Sequence, residues 1–224
     1  MPLLPSDQTV QKINEIFNEN RLDFFDIRPI GEAAEAEADD SQKRFFEALR
    51  MAFAPAMQAN SADKPFAPIA TFSDGSRSVS IEDLSDDDLS LLQILADCEF
   101  PSIALARVND ILWVRKKNHL CARKAVDNYL RLAELAFSPS EWVVGFNYIK
   151  RANTIACQLG NADIVSEHID SALSRLDGSD PLFFSLSLVE LQVANKRGDF
   201  ASYLVYVDRI LSHALEPVDT TFKV

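Results

Sequence analysis

Five cations, Arg115, Lys116, Lys117, Arg123 and Lys124, fall within ten residues, and His119 stands among them. Clustered cations and helix starts both attract anions, so the chemistry on offer is contact with phosphate or RNA. Two features weigh against nucleic acid. Basic residues at the end of one helix complement that helix's dipole, and no aromatic residue is interleaved to stack a base. Nucleic acid is therefore disfavoured, and the six residues are read as an anion or partner contact.

Arg107 and Asp110 are three apart on one helical face, which predicts a surface or inter-helix ion pair. Buried beside Trp113, the same pair would fix the geometry of neighbouring hairpins. Either role is structural, because the sequence places no second carboxylate or histidine near Asp110 for acid–base work. Trp113, Trp142 and Phe146 are expected to meet where the first two hairpins stack. His168 lies on the apolar side of its helix and reads as a hydrogen-bonded core residue, whereas His213 complements a helix end.

Cys98, Cys121 and Cys157 form no CxxC pair, and each sits in or beside an apolar helical pattern, as packed reduced cysteines do. Cys121, between His119 and Arg123, is the one candidate nucleophile. Five acidic residues between Glu82 and Asp88 lack the glycine-centred spacing of a calcium loop and fit a solvated helix start. Phosphate loops, GxSxG elbows and HExxH pairs do not occur. No catalytic residue, metal or cofactor is assigned.

The elements that must position these residues are helical. Apolar residues recur at helical spacing from Ala104 to Leu112 and again from Ala122 to Ala133, on either side of the polar turn Lys116-Lys117-Asn118. This predicts a hairpin of two amphipathic helices, which cannot bury both apolar faces without a neighbour. The pattern repeats: Trp142 to Leu159, a turn at Gly160, then Ile164 to Leu176. It recurs from Pro181 to Ala194, with a turn at Gly198 and a partner from Tyr203 to Ala214. The turn residues Asn118, Gly160 and Gly198 are 42 and 38 positions apart, an interval of stacked two-helix repeats. The alternating Ser185-Leu-Ser-Leu188 is read as helix from its place before a turn. Phe183 and Phe184 are consecutive, so one of them must face a neighbour or a partner.

Upstream, Ser6 caps a short first helix and a second runs from Ser41 to about Ala54. Between them, GEAAEAEADD (31–40) shows no apolar face and is expected to be a solvated helical end or a loop. Residues 58–78, with Pro65, Pro68 and Gly75, form the best linker. Ser80 and Ser85 open two capping signatures, each followed by carboxylates in the first turn.

The run Leu105-Ala-Arg-Val-Asn-Asp-Ile-Leu-Trp-Val-Arg-Lys-Lys, continuing through Ala125-Val-Asp-Asn-Tyr129-Leu, resembles the N-terminal helical region of large uncharacterised bacterial proteins. The resemblance covers about residues 90–140. It implies a further C-terminal helical domain related to the HEPN group, several of whose members cut RNA in toxin and anti-phage systems. The Arg-to-His signature of that group, with four to six residues between, is absent. Arg115 to His119 and Arg209 to His213 are separated by three residues each. Any nuclease is thus expected beyond Val224. The Gly-Asp-Phe turn at 198–200 and the Ala125/Tyr129 spacing loosely resemble tetratricopeptide repeats, although Trp113 stands where that family has a small residue.

Composition sets the outer limits. The 224 residues are 47% apolar and 25% charged, with six glycines, which tilts towards helix. The formal charge of −12 sits in residues 1–100, with 20 Asp and Glu against 8 Lys and Arg, while residues 101–224 hold 14 of each. No run approaches the roughly 18 apolar residues of a membrane span, and the first residues lack the segments of a secretory signal. A cytoplasmic location is expected, with no membrane contact. The sequence thus predicts an all-α protein whose antiparallel hairpins stack as a short TPR-like solenoid behind an irregular helical N-terminal region. The expected division is 1–78, an acidic helical region and linker; 79–216, the hairpin repeats; and 217–224, a tail or the start of a further part. The expected function is interaction, with a protein partner, a C-terminal domain of the same polypeptide, or a second copy in a homodimer. The alternative is the sensor half of an RNA-targeting defence protein.

Overall fold

The computed structural model describes residues 3–19, 28–53, 81, 84–100, 102–136, 142–174 and 181–215. These residues form ten α-helices and no strand, as composition and periodicity predict: α1 (Asp7–Glu19), α2 (Arg28–Ala36), α3 (Asp40–Phe53), α4 (Asp86–Ala96), α5 (Ser102–Lys116), α6 (His119–Leu135), α7 (Trp142–Gln158), α8 (Asp163–Leu173), α9 (Pro181–Arg197) and α10 (Phe200–Leu215). Compactness divides the chain into two units, Met1–Ala152 and Asn153–Val224. The linker expected at 58–78 lies outside the described residues.

In the first unit the Ser6 hydroxyl accepts the Thr9 N–H at 3.2 Å and starts α1. Gln42 on α3 holds that start in place, accepting from the Ser6 N–H (2.7 Å) and the Thr9 hydroxyl (3.0 Å) and donating to the Leu4 carbonyl (3.2 Å). Phe17 meets Phe53 edge-on with ring centroids 5.0 Å apart. In the acidic stretch after Gly31, residues 31–36 form the end of α2, 37–39 lie outside a helix and Asp40 starts α3. The correction to the sequence reading is that this helix end has an apolar face: α2 buries Ile30 and Ala34 and packs on α3. The two residues are one turn apart, and an apolar face of one isoleucine and small alanines was too narrow to register as a stripe.

Ser85 caps α4 through a closed box: its hydroxyl accepts from the Asp88 N–H, and the Asp88 carboxylate accepts from the Ser85 N–H at 3.0 Å. The next helix departs from expectation. Instead of being amphipathic, α5 is buried nearly all round from Ile103 to Trp113, with α3, α4 and α6 packed against it. That run includes three polar residues, Arg107, Asn109 and Asp110. A helix covered on every side must find partners for such groups within the protein, because water cannot supply them.

The turn from α5 to α6 puts Lys117 in the left-handed region at φ 53°, and the Asn118 side chain accepts from the Leu120 and Cys121 N–H groups to cap α6. In the second unit, α8 packs on α9 and α9 on α10, and residues 185–188 are helical. The predicted turns at Gly160 and Gly198 have φ of 68° and 69°. Each ends its helix in the same way, with Asn161 N–H bonded to the Ala156 carbonyl and Asp199 N–H to that of Ala194. A Cβ at either glycine would meet nothing within 4 Å, so conformation and not space calls for glycine there.

Candidate functional site: a buried Arg–Asp–Tyr–Arg cluster

Tyr148, Arg151, Ala152 and Ile155 of α7 fall at i, i+3, i+4 and i+7, so the arginine shares the core-facing stripe of its helix. A guanidinium placed there must meet an anion, and Asp110 on α5 is that anion. Arg151 donates from Nε to Asp110 Oδ2 at 2.8 Å and from Nη2 to Oδ1 at 2.5 Å, a two-pronged pair in which both side chains are buried. The Tyr129 hydroxyl from α6 donates to Oδ2 at 2.9 Å, and the Tyr129 ring stacks on Tyr148 with centroids 5.8 Å apart. One carboxylate therefore joins α5, α6 and α7.

Arg107 does not pair with Asp110, contrary to the expectation from their spacing. Its Nε donates to the Ala52 carbonyl at the end of α3, at 3.1 Å, and its Nη1 has no hydrogen-bond partner. An intrahelical pair would have left Arg151 buried and unpaired, so the geometry gives the carboxylate to the cation that can grip it with two nitrogens. Burial pushes the Arg107 pKa down, although the nearby Tyr129 and Asp110 act against that. Burial also opposes the charge of Arg151, but the Asp110 hydrogen bonds and charge prevail and raise its pKa. The Tyr129 hydroxyl is held well above the usual phenol range by burial and then by the Asp110 charge, and burial pushes Tyr148 up as well. Both tyrosines stay protonated, and Asp110 is enclosed by three donors. Such a cluster locks helices together, and neither tyrosine is poised to give up its proton.

The basic segment is also drawn into the fold. Arg115 donates from Nη1 to the carbonyls of Ile81 (2.5 Å) and Leu84 (3.0 Å), fastening the approach to α4. Lys124 pairs with Asp97 at 3.3 Å. The Trp113 ring carries Lys117 over one face at 5.5 Å and His119 edge-on at 5.3 Å. Of the six residues, Arg115, Lys117, His119 and Lys124 thus make separate contacts within the protein, and Lys116 and Arg123 face solvent. Trp113 is buried, while the side chains of Trp142, Phe146, Phe184 and His213 lie outside the described residues. Cys121 is buried and its thiol is pushed up by that burial, which is the reverse of an activated nucleophile. Among the described residues no group of three His, Cys, Asp or Glu could hold a metal ion.

Two features had no counterpart in the sequence reading. On α9, Glu190 is buried; one carboxylate oxygen accepts from Ser166 of α8 at 2.9 Å, and the other has no partner. Arg197 donates to Ser166 at 3.2 Å and pairs with Asp163 at 2.6 Å, while Tyr206 reaches Asp170 at 3.4 Å. Burial raises the Glu190 pKa above its ordinary value, with Asp170 adding to the shift. The second feature is an open groove among α1, α2 and α3, lined by Gln8, Lys12, Glu15, Ala33 and Phe46. Arg151 and Glu190 both carry a visible signal, a charge at a position where the helical period demands an apolar residue. The groove carries none, since it arises only when three helices assemble.

A family model described as a domain of unknown function (DUF7380) matches residues 18–167. The chain belongs to this family. The DUF7380 match runs from the end of α1 into α8, so it holds the whole Asp110 cluster and stops short of α9 and α10. No curated protein and no solved structure matches the chain. Among the described residues no helix is long and apolar enough to cross a membrane.

Proposed function

We propose that this protein is a non-catalytic helical scaffold that holds a protein partner, its hairpins acting as repeats in the manner of a short solenoid. One observation carries the reading: among the described residues, four of the eight large apolar side chains exposed to solvent (Phe200, Leu204, Val205 and Leu211) are on α10. Scattered single apolar residues are ordinary on a surface, but a concentration on one helix marks an interaction site. The inward use of Arg107, Asp110, Arg115 and Arg151 supports the same reading, because side chains spent on holding helices are not free to act on a substrate. Affinity would come from helix-face packing and not from one reactive group.

The test is gentle purification of the full chain from its own cells, followed by gel filtration and mass measurement. A stoichiometric complex with a second protein is the expected result. An isolated monomer, or salt-dependent retention of RNA in a filter assay, would overturn the proposal.

A further inference from the structure

The outer face of α10 carries a specific charge pattern as well as an apolar one. Phe200, Leu204 and Leu211 are 75%, 65% and 53% exposed and share one stripe at i, i+4 and i+11, flanked by Val205 at 57%. Asp208 lies within that surface, one turn beyond Leu204 and one turn before Leu211. It is exposed and makes no ion pair among the described residues. The nearest cation in sequence, Arg209, is turned the other way, its guanidinium over the rings of Phe183 (5.5 Å) and Tyr206 (5.3 Å). Residues 153–224 as a whole hold ten Asp and Glu against five Lys and Arg.

We propose that this face docks an amphipathic helix of another protein, whose apolar seam covers Phe200, Leu204 and Leu211 and whose Lys or Arg pairs with Asp208. The inference rests on the interaction reading above and names its surface and the chemistry of its partner. A carboxylate within an apolar contact is costly unless a cation meets it as water leaves, so the occupant must bring one. A second copy of this chain docking through the same face brings another Asp208, with its Arg209 already engaged, and would bury uncompensated negative charge. An anionic membrane surface is repelled by the same carboxylate and by the acidic unit around it. A basic amphipathic helix satisfies both the stripe and the charge.

The experiment places a photo-cross-linking phenylalanine at position 204 of the full chain in its own cells and sequences the linked segment by mass spectrometry. The expected segment has apolar residues at helical spacing with Lys or Arg within one turn of the link. Asp208→Lys should cut the cross-linked yield about tenfold or more, and Asp208→Glu should preserve it. Both substitutions are on the surface, and unchanged circular dichroism and unfolding midpoint verify the fold. Linkage to a second copy, linkage to lipid, no linkage, or a segment indifferent to Asp208→Lys would each overturn the inference. A stoichiometric complex that survives Leu204→Asp would sink this docking face while leaving the interaction reading intact; loss of every complex in the unmodified chain would sink both.

Discussion

Each unit of this protein buries a carboxylate near an arginine and a tyrosine, drawn from three helices around Asp110 and from α9 and α10 around Glu190, yet the two clusters are wired differently. In the first, Arg151 and Tyr129 both turn to Asp110 and close it. In the second, Arg197 goes to Asp163 and Ser166, Tyr206 is divided between Asp170 and Glu190, and one Glu190 oxygen is left unpartnered. The ingredients are alike, so residue type does not decide the outcome. What decides it is whether the cation projects from the core-facing stripe, as Arg151 does, or from the last turn of a helix near solvent, as Arg197 does. The first cluster is a lock, and the second keeps a group that protons can still address.

The sharpest way to break this contrast is to unlock the first cluster. Asp110→Ala leaves Arg151 buried without its anion and should cost about 3–5 kcal/mol in urea unfolding. Asp110→Leu combined with Arg151→Met should recover most of that loss, since apolar residues of similar volume often replace a buried pair without penalty. If the double substitution is as damaging as the single one, the cluster is more than an ion pair holding helices. A smaller loss, about 1.5–3 kcal/mol, is expected from Arg115→Ala, which frees two carbonyls that now accept from a charged donor.

The second cluster is tested by pH. Burial raises the folded pKa of Glu190 above the ordinary 4.5, so the folded state holds this proton more tightly than the unfolded chain does. The stability that follows is complete below the unfolded value and is lost as pH climbs through the raised folded one. Glu190→Gln has no charge to bury and should flatten this part of the slope, making the variant the more stable form at neutral pH by less than the Arg115 effect. Thermal melts across that range would show it, and an unchanged slope would mean that Glu190 is solvated. The smallest effect is expected at Leu204, where the exposed Leu204→Ser should shift the unfolding free energy by no more than about 0.5 kcal/mol. A large loss there would mean that α10 is already covered.

The sequence disclosed those parts of this molecule that depend on neighbours along the chain. The helices α6 to α10, the Ser85 capping box and the glycine turns at 160 and 198 are all local, and each is where periodicity and turn chemistry put it. The stretch after Gly31 was harder, because alanines supply a face without supplying bulk. Asp110 shows the deeper limit. Its true partner, Arg151, is 41 residues away on α7, and helical spacing can rank Arg107 as a neighbour but has no means of ranking a residue on a different helix. Arg115 is the same case: its cationic character was plain, but the carbonyls of Ile81 and Leu84 that claim it became visible only when α4 and α5 came together.

The all-round burial of α5 has a consequence for how the first unit comes apart. Between Ile103 and Trp113 this helix presents almost nothing to solvent, so its backbone amides cannot be reached by local fraying as those of α1 or α10 can. Deuterium should enter α5 only through events that dismantle the unit around it, which makes this the segment whose exchange rate reports global opening. Arg107 and Asp110, charged side chains in the middle of that helix, would then be among the last groups that water touches.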